Sequence, residues 1–428
     1  MFLSRIARRV VLLLIVVALS LEIVGVGAGL SYSLGQPVST PYASIPIQFV
    51  AITSMVIARL PYLSFALLSA ALLVGLTFHF LNRRRENVEE SIVVKNVQRK
   101  FPDYLVLLSA LIIAAILVWL PRSLQRLPIG SDTLYYMSVV DTMKVEGPRW
   151  AIMYTDKPFL YLMTYGLEQL SGLSTLDFFR ILPVFLAVGT VSGVWYFVNA
   201  FYPKASGYTS LLTALSTSLM RTSIDLYASF FAIILLLLAL GIYFRNREEN
   251  NTWRWIALQL ILALLLLSYW FVWVFVLVIL CLAELTSQHA LSGVRRLFQV
   301  FLTSIIVMGL FVGVALANPP PVYWGLGSSF TLYLGRTITP AGIVTYDSTA
   351  VTTSSLALLG QDNLLFPILA TLGLILFRPK TFPLRTIYVW SFTMLGFSLV
   401  SATSTHAALL FPLPILAGLG LSKLVESL

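Results

Sequence analysis

The sequence has little of what soluble enzymes use for chemistry: one cysteine, three histidines, and charged side chains at only 11% of 428 residues. A lone Cys281 excludes a disulfide within the chain and any cysteine-built metal site. His79, His289 and His406 are scattered without the spacing of a zinc motif. Acidic residues are scarce too, 18 against 28 Lys and Arg, for a net charge of +10. In a soluble chain that balance points to nucleic acid. Here the basic residues sit in short gaps between apolar runs, so they report membrane topology and no nucleic-acid partner is expected.

What the chain does have is apolar length. Hydrophobic residues make up 58% of it, more than a water-soluble fold of this size can hide, and bilayer lipid is the expected solvent. A transmembrane helix needs roughly 20 mainly apolar residues. Such runs predict about twelve spans, near 10–30, 62–81, 104–120, 178–201, 207–220, 226–244, 254–268, 270–285, 298–317, 363–377, 386–402 and 409–425. The first run carries Glu22 and no small-residue cleavage site, so it is expected to stay as an anchor. Segment 45–58 ends early at Arg59 and Pro61 and reads as re-entrant or surface-lying. The apolar stretch from Trp253 to Leu285 is too long for one crossing, and Ser268-Tyr269-Trp270 offers a turn at its middle.

Alternating the spans from a cytoplasmic N-terminus puts both termini and most basic residues inside. Six of the exceptions, Arg122, Arg126, Lys144, Arg149, Lys157 and Arg180, gather in or just after one outer loop, 121–177. That loop has helical periodicity. Tyr135, Tyr136, Val139 and Met143 recur at helical spacing after Ser131 or Asp132, either of which could cap a helix, and Gly147-Pro148 ends the run. A second helix fits Pro158 to Leu170, with Pro in its first turn and Gly172 closing it. Both are expected to lie along the membrane surface, which sets carboxylates at head-group depth.

The run Asp132-x-x-Tyr135, a Gly-Pro break, Lys157-Pro158-Phe159-Leu160-Tyr161, Gly172 and Arg180 resembles the first outer loop of the GT-C superfamily. These are polytopic glycosyltransferases that use polyprenyl-phosphate-linked sugars, and the resemblance is to the protein O-mannosyltransferases and the aminoarabinose transferases of lipid A. It extends, more weakly, over Asp103 to Leu428. The implied organisation is a two-span extension with a cytoplasmic linker, 1–103, ahead of a catalytic core, 104–428. The core includes the catalytic loop 121–177 and a second long outer loop, 318–362. The implied fold is an all-α transmembrane bundle with amphipathic interfacial helices in the first large loop.

The resemblance also assigns roles. Asp132 matches the acidic residue that accepts the proton of the acceptor hydroxyl or orients it. Lys157 matches a lysine that contacts the donor phosphate, with Phe159 standing where the family's Lys-Pro-Pro motif has its second proline. Asp225 matches a second acidic position, with Arg221 four residues earlier as a phosphate clamp or ion-pair partner. His406 stands where many relatives carry an arginine, and Tyr135 and Asp156 fall near the acceptor. The donor partner is then a lipid-linked sugar; the acceptor is a protein, a lipid or a glycan; the location is the cell membrane, with the site extracytoplasmic. No cofactor is predicted. Oligosaccharyltransferases of the same superfamily use a divalent ion, but Asp132 and Asp225 are too few carboxylates to predict that site here. Two other readings stay open: a transporter or lipid-linked sugar flippase, and a non-catalytic relative. Transporters typically show repeated halves and interrupted helices, and neither is visible in the sequence.

Overall fold

The computed structural model describes residues 101–123, 131–148, 150–151, 155, 157–249, 251–287, 290–316, 336–339, 342–345, 365–377, 379, 381–398 and 412–427. The expected spans 10–30 and 62–81, the re-entrant segment 45–58, Asp156, His79, His289 and His406 lie outside the described residues.

The described chain is helical. It runs α1 (Phe101–Ser123), α2 (Ser131–Glu146), α3 (Pro158–Ser171), α4 (Thr175–Asn199), α5 (Pro203–Leu215), α6 (Thr217–Asp225), α7 (Tyr227–Glu249), α8 (Thr252–Leu285) and α9 (Ala290–Leu316). After the antiparallel pair β1 (Arg336–Thr339) and β2 (Gly342–Thr345) follow α10 (Leu365–Leu376), α11 (Phe382–Ser398) and α12 (Leu413–Ser427). The strands pair Arg336 with Thr345 and Thr339 with Gly342, a small non-helical element inside the second long loop. Among the described residues, five helices are long and apolar enough to cross a membrane: Tyr104–Ser123, Thr175–Asn199, Tyr227–Arg247, Thr252–Leu285 and Ala290–Gly309.

Helix α7 is the central post, with 72% of its apolar window buried, whereas α1 shows only 17% buried and turns Leu105, Leu108, Ile112 and Ile116 outward. Lipid solvates such a stripe as well as protein does, so burial alone does not hold these helices together. Close packing and internal hydrogen bonds do. The α10–α12 contact shows this: a Cβ added at Gly373 would collide with the Leu416 carbonyl, and one at Gly420 with the Leu369 carbonyl. The two backbones therefore touch where side chains are missing.

Helix α8 is formally one run of 34 residues, but Tyr269 has non-helical angles, φ −165° and ψ 88°. The two ends of α8 meet the same residue. The Trp255 ring lies 6.1 Å from the Tyr243 ring, and the Tyr243 hydroxyl donates to Glu284 Oε1 at 2.7 Å. In a straight helix Trp255 and Glu284 would be about 43 Å apart at 1.5 Å per residue. The chain therefore doubles back at Tyr269, at the turn the sequence marks.

Three expectations are corrected. The fifth span, expected over 207–220, is interrupted: α5 ends at Ser216 (φ −75°, ψ 139°), whose Oγ then accepts from Leu219 N at 3.2 Å to cap α6. The segment read as a loop around Arg221 and Asp225 is the helix α6. An interrupted helix is thus present, broken at a run of hydroxyl residues, Ser216-Thr217-Ser218, that the sequence reading carried through as one span. Helix α9 begins at Ala290, so Arg295 and Arg296, placed in a loop, lie in its opening turns. Glu284, near the end of α8, is 1% exposed and is held by Tyr243, by Arg247 Nε at 3.1 Å and by Ser287 Oγ at 3.1 Å.

Candidate functional site

The contacts divide the bundle into two chemically different ends. At one end, Arg247 pairs with Glu284, Arg385 donates to the Thr286 carbonyl at 2.7 Å, and Glu426 takes the Tyr202 hydroxyl at 2.7 Å and Lys423 at 2.7 Å. At the other end lie the close of α1, helices α2, α3 and α6, the starts of α4 and α7, and the Tyr269 turn of α8. The sequence-predicted site residues with described backbone all lie at this second end.

Helix α2 starts at Ser131, so Ser131 and Asp132 occupy its first turn. The Asp132 side chain is outside the described residues. The next residue, Thr133, is fully buried, and its Oγ1 lies 2.8 Å from the Tyr227 hydroxyl at the head of α7. Tyr135 is 54% exposed, whereas Tyr136, Val139, Val140 and Met143 are buried. Tyr136 packs its ring 5.7 Å from Tyr161 and 5.3 Å from Tyr227, so one aromatic cluster joins α2, α3 and α7. Gly147 (φ +87°) and Gly172 (φ +68°) end α2 and α3 in the left-handed region, where a side chain would be strained.

Lys157 stands immediately before α3, and Pro158 takes the first-turn position expected of it. The Lys157 ammonium lies 5.5 Å from the Tyr269 ring centroid, a cation–π contact between the lysine and the α8 turn. Phe159 stacks on Phe231 of α7 at 5.8 Å. The residue that departs from the family's proline is therefore an anchor that fixes α3 beneath Lys157.

Helix α6 carries Arg221 and Asp225 one turn apart; their side chains are outside the described residues. Its last turn is gripped by Arg122, a buried residue (3% exposed) at the end of α1. Nη1 of Arg122 donates to the Val118 carbonyl at 2.6 Å, and Nη2 donates to the Ser223 carbonyl and approaches Ser223 Oγ at 3.5 Å. Sequence reasoning counted Arg122 only as a positive charge on the wrong side. Lys144 is also an internal tie, pairing with the buried Glu168 and with Asp141 at 3.0 Å, whereas Arg180 pairs at 3.6 Å with the half-exposed Asp177 one turn away in α4. Thr175 donates to Asp141 Oδ1 at 2.7 Å and lies 3.0 Å from Glu168 Oε1, which locks α2, α3 and the start of α4 together.

Lys144 titrates above an ordinary lysine. Burial opposes its charge, but hydrogen bonds and attraction from Glu168 and Asp141 outweigh burial.

At the α5–α6 interruption lies a cavity of about 60 Å³ with apolar walls from Val194, Phe230, Leu237 and Trp390 and hydroxyls from Thr190, Thr213, Ser216, Ser218 and Thr222. Thr190 Oγ1 is buried and has no hydrogen-bond partner among the described residues. Interrupted backbone at membrane depth is tolerated where it lines such a space.

No three His, Cys, Asp or Glu side chains come together among the described residues, where Asp141 and Glu168 are paired with Lys144 and Thr175.

No protein-family model matches the chain, and no curated protein matches its sequence. Solved structures do. One is the archaeal oligosaccharyltransferase AglB from Archaeoglobus fulgidus in complex with an inhibitory peptide and a dolichol-phosphate: TM-score 0.51, 13% identity, 76% of this chain and 51% of that chain covered. Another is the Archaeoglobus fulgidus oligosaccharyltransferase in the apo form: TM-score 0.50, 14% identity, 78% and 52% covered. The chain spans about half the length of these proteins. At such identity the likeness is one of fold: over about three quarters of its length the chain is built like an archaeal oligosaccharyltransferase.

Proposed function

We propose that the chain is a GT-C glycosyltransferase that moves a sugar from a polyprenyl-phosphate-linked donor to an acceptor on the extracytoplasmic face, with inversion at the anomeric carbon. The supporting observation is convergence. The turns that carry Asp132, Lys157, and Arg221 with Asp225 come from three separate helices and meet at the end of the bundle opposite the basic cluster, in a fold like that of AglB.

In this reading the Asp132 carboxylate takes the acceptor hydroxyl's proton as the oxygen attacks the anomeric carbon. The carbon–oxygen bond to phosphate breaks on the opposite face, and the polyprenyl phosphate leaves with the bonding pair. Lys157 offsets its charge, with Arg221 and His406 as further phosphate contacts. Asp225, Tyr135 and Asp156 border the acceptor. The catalytic core is 104–428, and 1–103 is an extension ahead of it. The peptide and dolichol-phosphate in the AglB complex make a protein acceptor and a lipid-linked donor the first combination to try.

Purified protein given radiolabelled polyprenyl-phosphate sugars and membrane acceptors is expected to transfer label. Asp132→Asn should lose about 10²- to 10⁴-fold, the usual worth of a general base. Undiminished transfer in that variant rejects Asp132 as the base. A flippase is the second reading, favoured by the Ser216 interruption and its hydroxyl-lined cavity. Movement of lipid-linked sugar across liposomes without transfer would select it.

A further inference from the structure

A buried guanidinium is expensive to desolvate, and the hydrogen bonds described for Arg122 go to neutral oxygens. Its ligands are the Val118 and Ser223 carbonyls and the Ser223 hydroxyl, and it interacts electrostatically with the nearby Tyr227 hydroxyl. A cation kept on such terms holds geometry. Ser223 lies between Arg221 and Asp225 in the last turn of α6, and Tyr227 follows Asp225 by two residues. The same Tyr227 hydroxyl sits 2.8 Å from Thr133 Oγ1, and Thr133 directly follows Asp132. Both tyrosine and threonine are fully buried.

We infer that Arg122, Tyr227 and Thr133 form a buried polar clamp that fixes the spacing between the acid-bearing turns of α2 and α6, so that Arg122 and Tyr227 are positioning residues of the site. None of the three is a group on which the proposed chemistry acts. Each acts through a neighbour: Thr133 through Asp132, Arg122 through the α6 turn, Tyr227 through both. The clamp closes a contact between parts of the chain 101 residues apart, Arg122 and Ser223, and another 94 apart, Thr133 and Tyr227. Its catalytic consequence rests on the glycosyltransferase reading; its structural half does not.

Two near-isosteric variants test it, Tyr227→Phe and Thr133→Val, with Tyr202→Phe as control. Tyr202 donates a comparable 2.7 Å hydrogen bond to Glu426 at the opposite end of the bundle. Amide hydrogen exchange on the full chain in lipid discs reads the clamp without any assay of activity. Tyr227→Phe is expected to speed exchange about tenfold over 131–135 and 219–226, with the amides of α10 and α12 unchanged. Exchange that stays as in wild type, or rises evenly over the molecule, overturns the clamp.

In the transfer assay, Tyr227→Phe should lower kcat about tenfold to a hundredfold and shift the donor KM less than twofold, as misplacement by a fraction of an ångström does. The double variant should lose no more than Tyr227→Phe alone, because Tyr227→Phe already removes the Thr133 contact that Thr133→Val removes. Multiplicative losses, or equal losses in Tyr202→Phe, overturn the positioning role. Arg122→Lys is expected to keep part of kcat where Arg122→Gln does not. A wild type inactive on every donor removes the catalytic half and leaves exchange to decide the clamp.

Discussion

At the scale of single residues, the informative charges are those that turn out to be internal. Glu168 is 4% exposed, and its Oε2 has no hydrogen-bond partner among the described residues, so Lys144 is what keeps that carboxylate tolerable. Removing one partner of a buried pair strands the other, at about 3–5 kcal/mol. Lys144 is one-third exposed, so Lys144→Met should cost about 1–3 kcal/mol after that discount for solvent screening. The pH dependence has a definite sign. The lysine's folded pKa lies above its unfolded value of about 10.4, so its contribution is complete below that pH and fades as pH rises through the folded value. The melting-temperature gap between wild type and Lys144→Met should be constant from pH 7 to about 10 and narrow above it. A gap that instead narrows toward pH 7 contradicts the assignment. The sequence showed Lys144 and Glu168 as two charges in one loop; that they meet depends on α2 and α3 packing side by side, through Tyr136 and Tyr161.

Among the elements, α8 carries the sharpest prediction. Because the helix reverses at Tyr269, its two ends emerge on one side. In a Cys281→Ser background, Thr252→Cys and Leu285→Cys should both react with a membrane-impermeant thiol reagent from the same face. Reaction from opposite faces would mean a straight crossing. The reversal was legible because Ser268-Tyr269-Trp270 interrupts an apolar run too long for one span. The ends of α2 and α3 were legible for the same local reason: Gly147, Gly172 and Pro158 act through their own backbone angles. The break at Ser216 was not, since the α5–α6 segment stays apolar enough to read as one span. Its interruption shows only in the backbone angles at Ser216 and in the hydroxyls that gather around the gap.

For the whole molecule, Arg247, Arg254, Arg385 and Lys423 gather at the end of the bundle away from α2 and α3, the arrangement that the positive-inside rule reads as cytoplasmic. The basic cluster around Arg247, Arg254 and Arg385 should face the cytoplasm and α2 the outside. Tyr135→Cys, exposed in the folded chain, is then labelled on intact cells without permeabilisation. Labelling only after permeabilisation inverts the topology and moves the proposed site to the cytoplasmic face.

Sequence alone marked the apolar runs, the turn at Tyr269 and the helix ends set by glycine and proline. These depend on composition and on backbone preferences within a few residues, which a linear reading contains. Tertiary structure alone decided which charges are site and which are scaffold. Arg122, a misplaced positive charge on the linear chain, becomes a buried tie because Ser223, 101 residues away, folds against it. Glu284 becomes a paired acid because Tyr243 and Arg247 arrive from another helix. The cost of burying a charge is set by groups that no local pattern announces.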